Sequence, residues 1–452
     1  MRVLLVVWPV RITGKEFPGD RGELSLGRLY DLRSSVHYTG GESCDLSDLL
    51  KENSEGGRQN PPLQTPERQG KNRGDSLKAE DQQERRGMGR GAQGVREMME
   101  AGCREGIFPG GVVLWGNRRE IRGEVAVGVG RVTPPEPLPL VTPATLFDLA
   151  SLTKPLVTGA LVLLAVAEGR TTLDSPLSDS LPVSRGSRWG EAPLRELLTH
   201  SSGLPAWAPL YQKIDETLPG EERKRRLLRE ILALSPAGER GKASLYSDFG
   251  FMLLGWALEE IFGEGLDRLY RKRVAAPLGL DGVDFLSEGS SLPWQEPDRD
   301  RHFAATEVDS ESGEPWVGVV HDEHARILGG VSGHAGLFGT ARGVWSLARP
   351  WMAQKGEGGI FPEELLQEFT RRQEPLEWAL GFDTPTAGSS SGTKMTPGAS
   401  IGHLGYAGTS VWMDRARDRI IVLLTNRVHP TRTNNRIREF RPRLHDRVDE
   451  AF

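Results

Sequence analysis

The sequence predicts an α/β fold of the α+β type: an antiparallel sheet flanked by helices, built from both ends of the chain, with an inserted, mostly helical domain. Short apolar runs separated by turn residues occur near the start and the end of the folded part, whereas the long middle shows mainly helical periodicity. Because every strand needs a partner, runs at the two ends indicate one sheet that both ends complete.

Residues 1–93 are predicted to form a poorly ordered N-terminal extension. From Lys51 to Val95 the apolar side chains are few, so too little surface can be buried to offset the entropy lost on ordering. The short apolar run that follows Arg2 contains Pro9 and meets Arg11 without a small-residue cleavage site, which does not make a convincing signal peptide. The sequence therefore favours a cytoplasmic over a periplasmic location and otherwise leaves the compartment open.

Residues 94–150 are predicted to supply the first part of the sheet domain. A helix over Val95–Cys103 precedes two β-like runs, Gly111–Trp115 and Glu120–Val127. The turn Gly116-Asn117 lies between these runs, so they are expected to form a hairpin.

Residues 151–340 are predicted to be the inserted helical domain, and residues 341–452 the second part of the sheet domain. Helical periodicity in the insertion covers Leu152–Glu168, Leu194–His200, Glu222–Leu234, Phe249–Phe262 and Leu266–Ala275. Near the C-terminus, Thr409–Met413 and Ile420–Leu424 flank a polar turn, and Asn434–Arg447 has the pattern of an amphipathic helix. A second hairpin and a closing helix are expected there.

The composition excludes several classes of function. The 452 residues carry a formal net charge of -5 with basic and acidic residues interspersed, which argues against a nucleic-acid partner. Two cysteines, Cys44 and Cys103, provide no disulfide framework and no Cys-x-x-Cys site. The apolar run Pro155–Ala167 falls short of the ~20 residues that span a bilayer, so no transmembrane segment is expected. No cofactor is implied, and the oligomeric state stays open.

Ser151 is the candidate nucleophile, as the first residue of Ser151-Leu152-Thr153-Lys154 at the start of a helix. The interior of that helix is apolar all round, which predicts a buried helix whose N-terminus opens on a cleft. Unpaired N–H groups and the positive end of the helix dipole favour an oxyanion at this position. Lys154 lies one turn on, beside the serine hydroxyl, where desolvation lets a lysine act as a base.

Two further motifs give this pattern its weight, because Ser-x-x-Lys alone often arises by chance as a helix cap followed by a lysine. Tyr246-Ser247-Asp248 comes directly before a helical run, so the phenol of Tyr246 is expected to face the same cleft. His403-Leu404-Gly405-Tyr406 runs into a predicted strand, and its glycine allows a substrate to approach the strand edge.

These three motifs, in this order, resemble those of the serine β-lactamase and penicillin-binding family: class C β-lactamases, D-alanyl-D-alanine carboxypeptidases and related esterases. That family places Ser-x-x-Lys, Tyr-x-Asn and Lys-Thr-Gly or His-x-Gly along the chain in the same way. The resemblance extends from about Phe108 to Val428 and includes Leu197–Leu204 and Gly329–Phe338. It implies a β-lactamase/transpeptidase-like fold and an acyl-enzyme mechanism on an ester, a D-amino-acid peptide or a β-lactam.

The resemblance also implies roles for individual residues. Ser151 would be the nucleophile, and Lys154 and Tyr246 would share the acid and base work. His403 would stand in the place of the usual lysine and orient the substrate. The backbone N–H groups of Ser151 and Tyr406 would form the oxyanion hole.

Two departures from the family pattern bear on the substrate. Asp248 replaces the usual asparagine, and its negative charge should favour protonated Lys154 and shift the base role towards Tyr246. His403 replaces lysine, and a mostly neutral histidine holds a carboxylate less firmly at neutral pH. The replacement of lysine by His403 favours a peptidase-like or esterase activity over efficient β-lactam hydrolysis.

Alternative readings remain open at this point. Gly398-Ala399-Ser400-Ile401-Gly402 satisfies the Gly-x-Ser-x-Gly pattern of α/β-hydrolases, but Ser400 lacks the strand before it and the helix after it. A metal site is also conceivable, since five possible ligands are close in sequence without a recognised spacing: His321, Asp322, Glu323, His324 and His334. Scaffolding of the neighbouring Gly-rich loop is the preferred role for them.

The third alternative is a non-catalytic binding protein on the same fold, in which Asp248 and His403 mark lost chemistry. The intact Ser151, Lys154 and Tyr246 argue against it. Specificity would depend on loops that carry three aromatic residues able to line an apolar pocket: Trp207, Tyr211 and Trp294.

Overall fold

The computed structural model describes residues 89–134, 138–287, 289–293, 302–357 and 359–452. These residues all fall within one structural unit, Gln59–Phe452. Most of the predicted N-terminal extension and Trp294 lie outside the described residues, so the expectations for them stay predictions.

The central sheet joins strands from both ends of the chain, as the sequence predicts. It has five antiparallel strands in the order β2-β1-β8-β7-β6. The strands are β1 (Gly110–Gly116), β2 (Ile121–Gly128), β6 (Ser400–Leu404), β7 (Ser410–Asp414) and β8 (Arg419–Thr425). Both predicted hairpins are confirmed, β1 with β2 and β7 with β8. The sequence did not predict β6, because a glycine and a histidine interrupt its apolar pattern.

The pairing of β1 with β8 joins the two ends of the fold. Val112 is paired with Leu424 and Val113 with Leu423, so both strands alternate between two faces of the sheet. Val112 and Leu424 belong to the core beneath one face, whereas Val113 and Leu423 belong to the core beneath the other. Helices cover both faces, which explains why β8 reads as a continuous apolar run rather than an alternating one.

Twelve helices are numbered here within the described part of the chain. They are α1 (Arg90–Arg104), α2 (Ala160–Ala167), α3 (Leu177–Ser180), α4 (Leu194–Leu198), α5 (Gly220–Leu232), α6 (Asp248–Phe262), α7 (Leu266–Tyr270), α8 (Ala276–Leu278), α9 (Glu323–Ile327), α10 (Ala341–Ala348), α11 (Glu363–Thr370) and α12 (Ile437–Asp449). Short 3₁₀ turns cover Ala150–Leu152, Pro182–Ser184, Arg188–Glu191, Leu210–Lys213 and Arg349–Met352, and π-helical turns cover Lys154–Gly159 and Arg271–Ala275. Eight of these helices, α2 to α9, lie between Ala160 and Ile327.

A second, smaller sheet lies in that middle region and was not predicted from the sequence. Its order is β3-β5-β4, with β3 (Phe147–Asp148), β4 (Val283–Phe285) and β5 (Leu337–Gly339). Strands of two or three residues carry too little periodicity to be recognised in a sequence. Because β3 leads directly into the turn before Ser151, this sheet anchors one side of the site.

The helical segment from Ala150 to Ala167 begins irregularly. Its 3₁₀ and π-helical turns precede regular α-helix, and Pro155, which has no N–H to donate, lies in the irregular part. Among the described residues this is the one segment long and apolar enough to cross a bilayer, with a mean hydropathy of 1.7, yet 78% of it is buried within the fold. It packs as a core helix.

Candidate active site

Ser151 lies just after a strained turn between β3 and the helical segment. Ala150 has a φ of 48°, a left-handed conformation that side chains other than glycine rarely adopt. The Asp148 carboxylate holds this turn, because one oxygen accepts the Ala150 N–H and the other accepts the His321 N–H, each at 2.8 Å. Ser151 itself is partly exposed and follows directly after this fixed turn.

Lys154 is fully buried, and three oxygen atoms lie within hydrogen-bonding distance of its amine. Nζ lies 2.8 Å from Ser151 Oγ, 2.6 Å from Asp248 Oδ1 and 3.1 Å from the His334 carbonyl oxygen. Burial acts to lower the pKa of Lys154, but the negative charge of Asp248 and the neighbouring Tyr246 outweigh it, so the pKa is raised above its ordinary value. An ammonium has three protons to donate, and each has an acceptor here.

Tyr246 lies next to Lys154 and Ser151, both of which act to lower the pKa of its phenol, and Lys154 Nζ is 5.0 Å from the centroid of its ring. Its ring is enclosed by aromatic neighbours, with ring centroids 4.5 Å from His200 and 5.8 Å from Trp378. Burial raises the pKa of Tyr246, and although the Lys154 charge acts in the opposite direction, the phenol is neutral in the resting site.

His200 fixes the loop that carries Tyr246 and Asp248. The Ser247 N–H donates to His200 Nδ1 at 3.0 Å, and Ser247 Oγ donates to the Pro205 carbonyl at 2.6 Å. His200 is buried and has a positive φ of 56°. Its burial, with the nearby charge of Lys154, holds the pKa of His200 well below its ordinary value, so the ring is neutral.

The third motif begins in β6, the edge strand of the central sheet. His403 lies in β6 and is buried, and its Nδ1 bonds to the Leu404 carbonyl at 2.9 Å. Burial and the charge of Lys154 lower the pKa of His403 to about 3. It therefore carries no positive charge at neutral pH, a stronger departure from the family's lysine than the sequence suggests.

Gly405 and Tyr406 follow β6 and lie against the turn before Ser151. A Cβ on Gly405 would stand 1.9 Å from Thr409 Oγ1 and 2.6 Å from the Leu149 carbonyl oxygen, so only glycine fits. Tyr406 is half exposed, and its ring is stacked between His321 and the guanidinium of Arg427.

Neither of the two alternative sites, the Ser400 nucleophile elbow and the metal site around His321 and His334, is formed by the described residues. Ser400 begins β6 and is 1% exposed, with a loop before it and a strand after it, so a nucleophile elbow is not formed. Among the described residues no three metal-binding side chains converge. His321 is bonded to Glu307 at 3.1 Å and His334 to Asp322 at 2.8 Å, which is a scaffolding arrangement.

Sequence reasoning missed three contributors to the site: the His200 ring, the Trp378 ring and the His334 carbonyl. His334 was singled out only as a possible ligand, yet its backbone oxygen contacts Lys154 over a separation of 180 residues. A backbone acceptor leaves no trace in residue types. His200 lies in a segment that the family resemblance covers, which was the available signal for it.

Comparison with known proteins identifies the family of this chain. The family model described as "Beta-lactamase" matches residues 92–442. A protein of Escherichia coli (strain K12) named "Putative D-alanyl-D-alanine carboxypeptidase" is 30% identical over 315 residues, which are 64% of this chain and 70% of the relative.

Two solved structures share the fold. A class C β-lactamase from Rhodobacter sphaeroides is 22% identical with a TM-score of 0.58, and the match covers 79% of this chain and 98% of that one. EstCE1, described as a hydrolase with promiscuous acyltransferase activity, is 22% identical with a TM-score of 0.60 over 78% of this chain and 97% of its own. The predicted fold class and resemblance are confirmed: this chain belongs to the Beta-lactamase family, which includes β-lactamases, D,D-carboxypeptidases and esterases.

Proposed function

We propose that this protein is a serine hydrolase that forms an acyl-enzyme through Ser151. The observation that carries the proposal is the short contact between Ser151 Oγ and Lys154 Nζ, 2.8 Å, within a buried group that also includes Tyr246 and Asp248. A nucleophile within hydrogen-bonding distance of groups that move protons is the requirement for covalent catalysis.

In acylation, Ser151 Oγ attacks the carbonyl carbon and its proton passes to Tyr246. Lys154 is a poor acceptor for that proton, because it is already an ammonium paired with Asp248. Because its raised pKa keeps Tyr246 a neutral phenol, Tyr246 relays a proton: as the Ser151 proton arrives, its own proton moves to the leaving-group atom of the substrate, so Tyr246 is a neutral phenol before and after the step. The ammonium beside it stabilises the negative charge that develops on the phenol oxygen.

The carbonyl oxygen becomes an oxyanion in the tetrahedral intermediate. The backbone N–H groups of Ser151 and Tyr406 are the donors we assign to it, since Tyr406 directly follows the loop that packs on the turn before Ser151. When the intermediate collapses, the leaving group departs with the proton that it took from Tyr246. Water then repeats the sequence on the acyl-enzyme and regenerates Ser151.

The neutral His403 bears on the choice of substrate. β-Lactams and peptides ending in D-alanine carry a carboxylate, and the position that holds a lysine in many relatives offers no charge here. This supports an ester, or an amide whose carboxylate is bound elsewhere, over efficient turnover of a β-lactam. A D,D-carboxypeptidase is the second candidate, because the curated relative from Escherichia coli carries that name.

Intact-protein mass spectrometry after incubation with a penicillin, a D-Ala-D-Ala peptide analogue and short-chain esters tests the proposal. We expect an adduct that maps to Ser151 with at least one of these, and the compound that forms it identifies the substrate class. Ser151→Ala should turn over p-nitrophenyl butyrate no faster than buffer. The matched control, Ser400→Ala, should retain wild-type turnover. Wild-type activity equal to that of Ser151→Ala would favour the non-catalytic binding protein instead.

A further inference from the structure

A buried arginine on the C-terminal helix contacts the oxyanion loop, residues 405–409, which carries the Tyr406 N–H assigned to the oxyanion hole. Arg441 in α12 is 5% exposed, and one guanidinium nitrogen donates to the Gly405 carbonyl at 2.9 Å and to the Thr409 carbonyl at 3.0 Å. Its Nε has no hydrogen-bond partner in the described structure. None of the carboxylates among the described residues forms an ion pair with it.

The charges around Arg441 make its burial unfavourable for folding. Its charged neighbours are Arg427 and Arg438, both positive, and burial together with these charges lowers the pKa of Arg441 to about 9. The guanidinium is still protonated at neutral pH. A buried charge without a counter-ion destabilises a fold, which suggests a use for it outside stability.

The hydrogen bonds of Arg441 determine which way one particular peptide group faces. The Gly405 carbonyl accepts from Arg441 and also from the Gly408 N–H at 3.1 Å. The peptide between Gly405 and Tyr406 is trans, so its N–H, which belongs to Tyr406, points away from Arg441.

The turn before Ser151 packs against the same loop. Thr409 Oγ1 donates to the Leu149 carbonyl at 3.0 Å, and Ala407 packs against Ala150 in a small buried cluster. The loop is thus clamped between α12 on one side and the turn before Ser151 on the other.

We propose that Arg441 is a positioning residue for the oxyanion hole. It holds the Gly405–Tyr406 peptide with its N–H towards Ser151, and its positive charge draws electron density to the carbonyl side, which makes the N–H a stronger donor. The charge also lies one peptide group behind the oxyanion and favours it directly. This inference rests on the proposed acyl-enzyme function of Ser151.

Two variants separate charge from packing. Arg441→Lys keeps the positive charge, and Arg441→Gln keeps a donor without it. Arg443→Met, on the exposed side of the same helix, is the matched control. We expect kcat/KM for p-nitrophenyl butyrate to fall about 10- to 100-fold in Arg441→Gln with KM little changed, less in Arg441→Lys, and not at all in Arg443→Met.

The affinity for butylboronic acid is a second measurement, and a purely structural role of Arg441 would not change it. Its boron accepts Ser151 Oγ and becomes a tetrahedral anion with the serine proton released, so it mimics the oxyanion. Its affinity should fall across the Arg441 variants by the same factor as kcat/KM. The inference would be overturned if folded Arg441→Lys and Arg441→Gln had the same kcat/KM as each other. It would also be overturned if kcat/KM fell without a matching loss of boronate affinity.

The outcomes distinguish this inference from the proposed function. If Ser151→Ala keeps full ester turnover, or if the boronic acid does not inhibit the wild type, the acyl-enzyme proposal itself is wrong. If Ser151→Ala is inactive while both Arg441 variants match the wild type, only the role of Arg441 is wrong. If Arg441→Gln does not fold, the comparison of Arg441→Lys with the wild type still measures whether boronate affinity and kcat/KM change together.

Discussion

Replacing Asp248 by Asn removes the negative charge that pairs with Lys154 while leaving an amide oxygen where the carboxylate oxygen was. The two charged atoms are 2.6 Å apart, and at an effective dielectric constant of about 20 their attraction is about 6 kcal/mol. The cost of burying the ammonium offsets part of this. We therefore expect Asp248→Asn to lower the free energy of unfolding by about 3 kcal/mol at pH 7.

The pH dependence of this effect has a definite sign. Because the pKa of Lys154 is raised in the folded protein, its stabilising contribution is fully present below the ordinary lysine pKa of about 10.4. It is lost as the pH rises further through the folded-state pKa. The stability difference between wild type and Asp248→Asn should thus hold from pH 7 to pH 9 and shrink above about pH 10.4.

Asp248→Asn should also shift the pH dependence of kcat/KM, and the direction of this shift is the same whether Lys154 or Tyr246 is the base. Asp248 acts to raise the pKa of both Lys154 and Tyr246. Without that charge, the acidic limb of the kcat/KM profile for p-nitrophenyl butyrate should move to lower pH.

Urea unfolding and the pH–rate profile together test the ion pair. Glu230→Gln breaks the exposed pair with Lys213 and serves as the control, with an expected loss below about 1 kcal/mol. An Asp248→Asn protein with wild-type stability, or with an acidic limb that stays in place or moves to higher pH, would contradict the charge assignment of the site.

Three other substitutions or conditions give equally direct tests. Tyr246→Phe should lower kcat/KM about 10²- to 10⁴-fold in ester hydrolysis, with a melting temperature close to the wild type because the ring contacts remain. Ser400→Ala should leave fluorophosphonate labelling intact, as judged by mass spectrometry, because this serine is buried in β6; loss of labelling would revive the rival nucleophile. Burial lowers the pKa values of His403, His429 and His445 to about 3, 4 and 4, below the ordinary histidine value of about 6.5. On acidification the unfolded chain therefore binds more protons than the folded protein. Each of the three histidines should lower the free energy of unfolding by about 3 kcal/mol between pH 7 and pH 4, as measured by urea unfolding at the two pH values. An unchanged free energy of unfolding would show that these rings are not neutral in the folded protein.

The sequence was sufficient for the features that depend on local pattern. The two hairpins have alternating or apolar runs on either side of turn residues, and both occur in the sheet. Helix α6 follows its predicted periodicity to within one residue at either end, whereas α1 begins at Arg90, five residues before the predicted Val95. The closing helix begins at Ile437 rather than Asn434, because the preceding residues form a turn.

Long-range contacts explain what the sequence could not supply. The His334 carbonyl reaches Lys154, and Arg441 reaches the Gly405 carbonyl, through backbone oxygens that every residue type possesses. The rings of Trp378 and Tyr246 pack around His403, so the burial that lowers its pKa could not be predicted from the sequence.

The pairing of β1 with β8 cannot form until both ends of the fold have been synthesised. A hydrogen bond from the Thr409 hydroxyl to the Leu149 carbonyl joins the oxyanion loop to the turn before Ser151, and these two residues are 260 positions apart in the chain. At roughly 5–20 residues per second, a ribosome needs roughly 10–50 s to travel between them. Throughout that interval the nascent chain holds the nucleophile, but β1 lacks a partner on one side and the carbonyl-binding loop does not yet exist. The proposed site is thus complete only after β8 has been translated, and a chain truncated before β8 would leave β1 with an unpaired edge.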